Sequence, residues 1–135
     1  MREFSQEELR EILEAHSLRL EYSGQKGRRA DFSGADLRRA DLQGADLTRT
    51  CLSWANLSRA DLQGVNFTGT TFYSADLTGA DLTGADLSGA YLAFADLREA
   101  DLRVATAKEC LIYGAKFSSP KERARLMMLG AGEEW

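Results

Sequence analysis

From Ala30 to Ser119 the chain repeats with a period of five, eighteen times, without an insertion. Ala30-Asp31-Phe32-Ser33-Gly34 is followed by Ala35-Asp36-Leu37-Arg38-Arg39 and Ala40-Asp41-Leu42-Gln43-Gly44, and the register holds to the end. The third residue of each quintet, its centre, is Leu in twelve quintets, Phe in four, Ile112 in one and Ala107 in one. The first residue is Ala in fourteen, the exceptions being Thr50, Val65, Thr70 and Cys110, and all ten Asp stand in the second place. A period of five is neither the ~3.6 of a helix nor the 2 of a strand, so neither element, run continuously, keeps Ala and Leu on one side.

A solenoid does. Residues one and three of a quintet point the same way in an extended segment, and the others turn a corner. Ala and the centre residue then face inward, and places two, four and five face outward. Gly ends eight quintets, where a sharp corner favours a residue without Cβ. Departures from Ala-Asp-Leu cluster at 50–54, 70–74, 90–94 and 110–114, twenty residues apart. Four quintets per coil would stack these clusters, and eighteen quintets then make about 4.5 coils, roughly 22 Å of axis at strand spacing.

The repeat resembles the Ala-(Asp/Asn)-Leu-x-x signature of the pentapeptide-repeat family, over 90 of the 135 residues. The resemblance implies an all-β solenoid, a right-handed quadrilateral β-helix with four quintets per coil. It implies no single function, because known members include DNA mimics that bind DNA gyrase, secreted effectors and proteins with no assigned role.

Both ends carry signals of a cap, which an open solenoid needs. Ser5 and Glu8 are spaced as a capping box and Phe4 and Leu9 as a hydrophobic staple, which predicts a helix from about Gln6 to His16 burying Leu9, Ile12 and Leu13. Leu18, Leu20 and Tyr22 alternate with Arg19 and Glu21, as in a short strand laid against the first coil, and Gly24 and Gly27 mark the loop into the repeats. The leader resembles one that precedes the repeats in bacterial members of the family. After the repeats, Ser119-Pro120-Lys121-Glu122 combines a capping box with Pro at the first helical position, and Gly130 stops that helix. Ala107 is the one undersized centre, and the expectation is that Met127 or Met128 fills the space it leaves. Residues 132–135 read as a loose tail. The organisation expected is 1–29, an N-terminal helix and strand cap; 30–119, the β-helix; and 120–135, a C-terminal capping helix and tail.

Catalytic chemistry is sparse. His16 is the only histidine and falls at the end of a predicted helix, where a structural or surface role is the simpler reading. Cys51 and Cys110 would lie about three coils apart, beyond the ~7 Å limit for a disulfide. There is no metal-ligand spacing, phosphate loop or nucleophile elbow, so the expectation is no enzyme, no metal and no cofactor. The start carries no signal peptide pattern and no stretch reaches the ~20 apolar residues of a membrane span, which points to a cytoplasmic protein with no membrane partner.

The net charge of −4 belongs wholly to residues 30–119, with twelve acids against eight bases. Asp41, Asp61, Asp81 and Asp101 would stack in one file, each neighbour pair repelling by about 1 kcal/mol in water. This raises an acidic DNA mimic binding gyrase or another DNA-binding enzyme as the alternative function. Duplex DNA carries about 13 charges over ~22 Å, far more than this segment, and direct nucleic-acid binding is not expected. The same Asp on other faces reads more simply as a corner residue.

Sorted by face, every outward aromatic falls on the one centred on Phe32, Leu52, Phe72, Leu92 and Ile112. It carries Cys51, Trp54, Tyr73, Tyr91, Phe94, Leu111 and Tyr113. A contiguous apolar patch of this kind meets something: a second copy in a homodimer, a different protein, or the chain's own terminus, for instance through Trp135. The function expected is a non-catalytic protein-interaction or scaffold module.

Overall fold

The computed structural model describes residues 2–21 and 30–133. In chain order it has a strand β1 (Arg2–Glu3), a helix α1 (Gln6–Glu21), a strand β2 (Ala35–Asp36) and a helix α2 (Pro120–Met128), with the repeats between. The period of five becomes a coil of twenty: Asp41 bridges Asp61, Asp61 bridges Asp81 and Asp81 bridges Asp101, all in parallel, and the other three faces follow the same rule. Each quintet makes the same bonds to the quintets twenty residues before and after it, on the neighbouring coils. Leu42 N–H donates to Asp61 O at 3.0 Å, Asp61 N–H to Ala40 O at 2.9 Å and Gly44 N–H to Gln63 O at 2.9 Å. Corners close when the first residue of a quintet donates to the preceding centre, as Ala45 N–H does to Leu42 O at 3.0 Å. Except at Val104 and at Ser119, where α2 begins, the fifth residue of each quintet is left-handed, with φ between 54° and 71° whether or not it is Gly.

The interior is a column of Ala and Leu, with Phe32, Phe67 and Phe72 fully buried among the centres. Two of the exceptional first residues, Thr50 and Thr70, also point inward. Thr70 satisfies its hydroxyl by donating to Leu47 O at 2.6 Å. Thr50 Oγ1 lies 3.5 Å from His16 Nε2.

One corner breaks the rule although the sequence register does not. Val104 holds the fifth place of its quintet, and its β-branched side chain cannot take the left-handed backbone of its neighbours. Val104 turns inward, Ala105 is pushed out to solvent, and Ala105 N–H rather than that of Thr106 reaches Ala85 O, at 2.8 Å. The expectation that every quintet's first residue faces inward is therefore corrected at Ala105.

At the N-terminal end Ser5 Oγ accepts the Glu8 N–H at 3.1 Å, and Leu9 and His16 are buried with Ile12 and Leu13 beside them. The helix runs on to Glu21, so Leu18 and Leu20 are helical and not in a strand; Tyr22 lies outside the described residues. Their alternation was outweighed by a run of good helix formers with no breaker before Ser23. The strand that does pair with the first coil precedes the helix, with Arg2 opposite Ala35 and Glu3 opposite Asp36. Phe4 follows it inward, edge-on to Phe32 at 5.2 Å.

At the other end α2 starts at Pro120, but Ser119 makes no side-chain capping bond, so the capping box is not formed. Leu126 is the residue α2 buries; Met127 and Met128 are exposed, which corrects the expectation that either fills the space at Ala107. A helix beginning at Pro120 turns position 126 toward the coil and leaves 127 and 128 outside. Gly132 is not loose either. It bridges Leu111, donating to Cys110 O at 2.8 Å and accepting from Ile112 N–H at 2.9 Å, so the chain rejoins the ladder after the helix. Gly130 makes this possible: its φ is 104°, and a Cβ there would stand 2.9 Å from Lys108 Cα.

Candidate functional site

On three of the four faces the second residue is Asp or Asn, except at Thr106 and Lys116 in the last coil, and it has one task. Its Oδ1 accepts the N–H two residues on, as Asp41 does from Gln43 at 3.2 Å, Asp81 from Thr83 at 3.0 Å and Asn66 from Thr68 at 3.0 Å. This local bond accounts for the Asp file. Arg103 covers the carboxylate of Asp101 at 2.6 Å, Arg98 that of Asp96 at 2.5 Å and Arg38 that of Asp36 at 2.6 Å. The Arg103 guanidinium, hydrogen-bonded to Asp101, lowers that carboxyl to about 2.

The fourth face abandons the pattern. Its second residues are Asp31, Cys51, Thr71, Tyr91 and Leu111, bridged in that order, and Asp31 alone keeps the corner bond, to Ser33 N–H at 3.0 Å. Apolar surface replaces the Asx bond on successive coils.

Aromatic rings join across these coils. Trp54 meets Tyr73 edge-on at 5.6 Å, Tyr73 meets Phe94 edge-on at 5.6 Å, and Phe94 meets Tyr113 edge-on at 5.4 Å. Tyr73 also stacks on Tyr91, 6.2 Å between centroids. The five rings form one connected chain along the coil axis, and Cys51 and Leu111 lie in the bridge file beside it. All seven residues expected from the sequence are on this face. Ala93, in an outward place between Tyr73 and Tyr113, is fully buried, so the rings make a closed surface rather than separate studs.

The face remains exposed where it is largest: Trp54 is 63% exposed, Tyr113 48% and Phe94 43%. Trp54 and Phe94 also sit at the left-handed corner, with φ of 63° and 61°. That conformation costs a residue with a Cβ roughly 1–2 kcal/mol, and ring contacts with neighbours return about 0.5–1.5 kcal/mol each. Phe94 is seated on Gly114, where a Cβ would come within 2.6 Å of the ring. Gly114 and Ala93 escaped sequence reasoning, although both are the small residues beside a large one in their own columns.

The two thiols differ. Cys110 points inward, and burial pushes it up to about 12. Cys51 is half-buried; burial raises its thiol, but hydrogen bonding with Ser33, whose Oγ is 2.9 Å from Sγ, and with Ser53 outweighs this and holds it below the ordinary value. Among the described residues no group of three or more His, Cys, Asp or Glu could hold a metal ion, and no helix is long and apolar enough to cross a membrane. A second apolar feature, absent from the sequence reading, is a groove of about 520 Å³ between α2 and Leu102 and Val104, with Arg103, Lys121 and Arg125 on its rim.

The pentapeptide-repeat signature matches residues 28–53, 50–89 and 85–119 in eight copies. Among solved structures, alr5209, a pentapeptide repeat protein from Nostoc Pcc 7120, is 36% identical over 87% of this chain and 93% of its own, with a TM-score of 0.67. The pentapeptide repeat protein Rfr23 from the cyanobacterium Cyanothece 51142 is 32% identical over 66% of this chain, with a TM-score of 0.50; the chain spans 57% of its length. QnrB1, a plasmid-mediated fluoroquinolone resistance protein, is 23% identical over 73% of this chain and 64% of its own, with a TM-score of 0.43. No curated protein sequence matches the chain.

Proposed function

The chain belongs to the pentapeptide-repeat family, whose solved members imply a right-handed quadrilateral β-helix, and from that premise we propose a non-catalytic protein-interaction module that binds through its aromatic face. In this reading residues 30–119 make about 4.5 coils, the segments 1–29 and 120–135 cap the two ends, and the protein works in the cytoplasm. The supporting observation is the connected chain Trp54–Tyr73–Phe94–Tyr113, exposed and held partly on left-handed backbone. Trp and Tyr are among the residues that dominate interface energetics. Capture of a partner by immobilised protein, compared with a Trp54→Ser/Tyr91→Asp double variant of unchanged circular dichroism, tests it. Loss of capture in the variant is expected; equal capture rejects the face.

The stacked file Asp41, Asp61, Asp81 and Asp101 favours a second reading, an acidic mimic of DNA that binds gyrase or another DNA-binding enzyme. The arginines on Asp36, Asp96 and Asp101 weigh against it by dilution of the field. A gyrase supercoiling assay decides: this second reading requires inhibition by the purified protein.

A further inference from the structure

Resting on the aromatic face as an interaction surface, we infer that its partner is a second copy of this chain, packed face to face and antiparallel about a two-fold axis through Tyr73 and Ser74. The face has five rungs, 30–34, 50–54, 70–74, 90–94 and 110–114, stacked by the bridges from Asp31 to Leu111. Its corner column reads Gly34, Trp54, Ser74, Phe94, Gly114, which alternates small and large and is symmetric in size about Ser74. A two-fold axis perpendicular to the coil axis at that rung maps the second rung onto the fourth and the first onto the fifth. Trp54 then meets Phe94 of the other copy, so the two rings that stand at left-handed corners of this face cover each other. Ser33 and Gly34, with no bulk, face the exposed ring of Tyr113.

Charge on the flanking edge supports the same operation. Arg49 precedes the second rung and Glu109 the fifth, both are exposed, and only Gly69 and Gly89 lie between them in that column. The antiparallel two-fold axis brings Glu109 of one copy within one rung, about 4.8 Å along the axis, of Arg49 of the other, within reach of two long side chains. A parallel two-fold axis would instead lay this edge over the aromatic corner and set the Glu109 carboxylate against the negative face of the Tyr113 ring. The antiparallel arrangement is isologous and closes on itself as a dimer.

Sedimentation velocity over a wide concentration range, with circular dichroism as the folding control, tests the inference. The expected result is a monomer–dimer equilibrium that Arg49→Glu or Glu109→Arg alone weakens by roughly tenfold or more, and that the combined exchange restores. Within one chain the two positions lie about 14 Å apart, so recovery cannot arise inside a monomer. Oxidation of a Tyr91→Cys variant should join position 91 of one copy to Cys51 of the other. Those positions are about 9.6 Å apart within a chain, too far for an internal disulfide. A monomer at every concentration, an exchange that fails to restore the dimer, or a disulfide joining position 91 to itself overturns the inference. A monomer that captures another protein through Trp54 and Tyr91 overturns it while leaving the interaction face standing; a monomer whose capture ignores both residues removes the two together.

Discussion

His16 Nδ1 accepts the backbone N–H of Ala30 at 3.1 Å, and through this bond the helix α1 holds the first residue of the repeats. Because Nδ1 is the acceptor, the ring is neutral with its proton on Nε2, which faces Thr50. His16→Ala leaves the Ala30 N–H, in a residue only 2% exposed, without its acceptor. The expected loss is about 1–3 kcal/mol of folding stability, read from the urea midpoint. An unchanged midpoint would show that the bond contributes nothing.

Gly34 and Gly114 occupy the same corner two ends apart, with φ of 67° and 69°. A Cβ at Gly34 meets nothing within 4 Å, whereas one at Gly114 strikes the Phe94 ring. Gly34→Ala should lower stability by about 1 kcal/mol through the backbone alone. Gly114→Ala should lower it further and raise the exposure of Phe94. Equal thermal shifts for the two variants would contradict the seating of that ring.

Arg39 holds a corner φ of 58° on a solvent-facing site. Relief of left-handed strain outweighs the entropy of an added Gly, so Arg39→Gly should stabilise the fold by about 0.5–1 kcal/mol. Chemical denaturation measures it, and a destabilised variant refutes the strain account.

The Asp101 carboxyl is lowered to about 2 by the Arg103 guanidinium, and Asp36 and Asp96 are lowered by Arg38 and Arg98. A depressed carboxyl stabilises the folded chain above its unfolded value near 3.8 and loses that contribution as pH falls through the folded one. Wild type should therefore exceed an Arg103→Met variant in urea midpoint at pH 5, and the difference should fade between about pH 4 and 2. These groups are largely exposed, so added salt should shrink the difference too. A gap that persists at pH 2 would point to packing by the arginine stem.

Cys51 and Cys110 should separate cleanly in native thiol labelling at pH 8. Cys51, held low by its serine neighbours, reacts first; Cys110, buried and raised to about 12, waits for unfolding. If the aromatic face closes on a second copy, Cys51 labelling also slows as protein concentration rises. Fast labelling of Cys110 would mean that the coil opens there.

The coil and its aromatic face were legible because both depend on a simple count. A strict five-residue step places residues twenty apart on neighbouring rungs, so Trp54, Tyr73, Phe94 and Tyr113 could be aligned from number alone. What could not be read is where two local preferences compete. Leu18 and Leu20 alternate like a strand yet lie in a helix, because the surrounding Arg, Leu and Glu continue the turn of α1. Val104 keeps its place in the count but not in space, because a β-branched residue refuses the corner. The burial of Leu126 rather than Met127 follows from where Pro120 starts the helix, a phase set in three dimensions.

The repeated ladder bond also makes position on the surface a matter of arithmetic modulo twenty. Twenty residues inserted at 89/90 would add a rung and leave every column intact, lengthening the aromatic strip. Five residues inserted at the same point would turn all that follows by a quarter revolution, carrying Phe94 and Tyr113 away from Trp54 and Tyr73 while each quintet kept its own corner bond. Chain length in this architecture is thus a rotational coordinate, and a short duplication could dismantle a surface without disturbing the core beneath it.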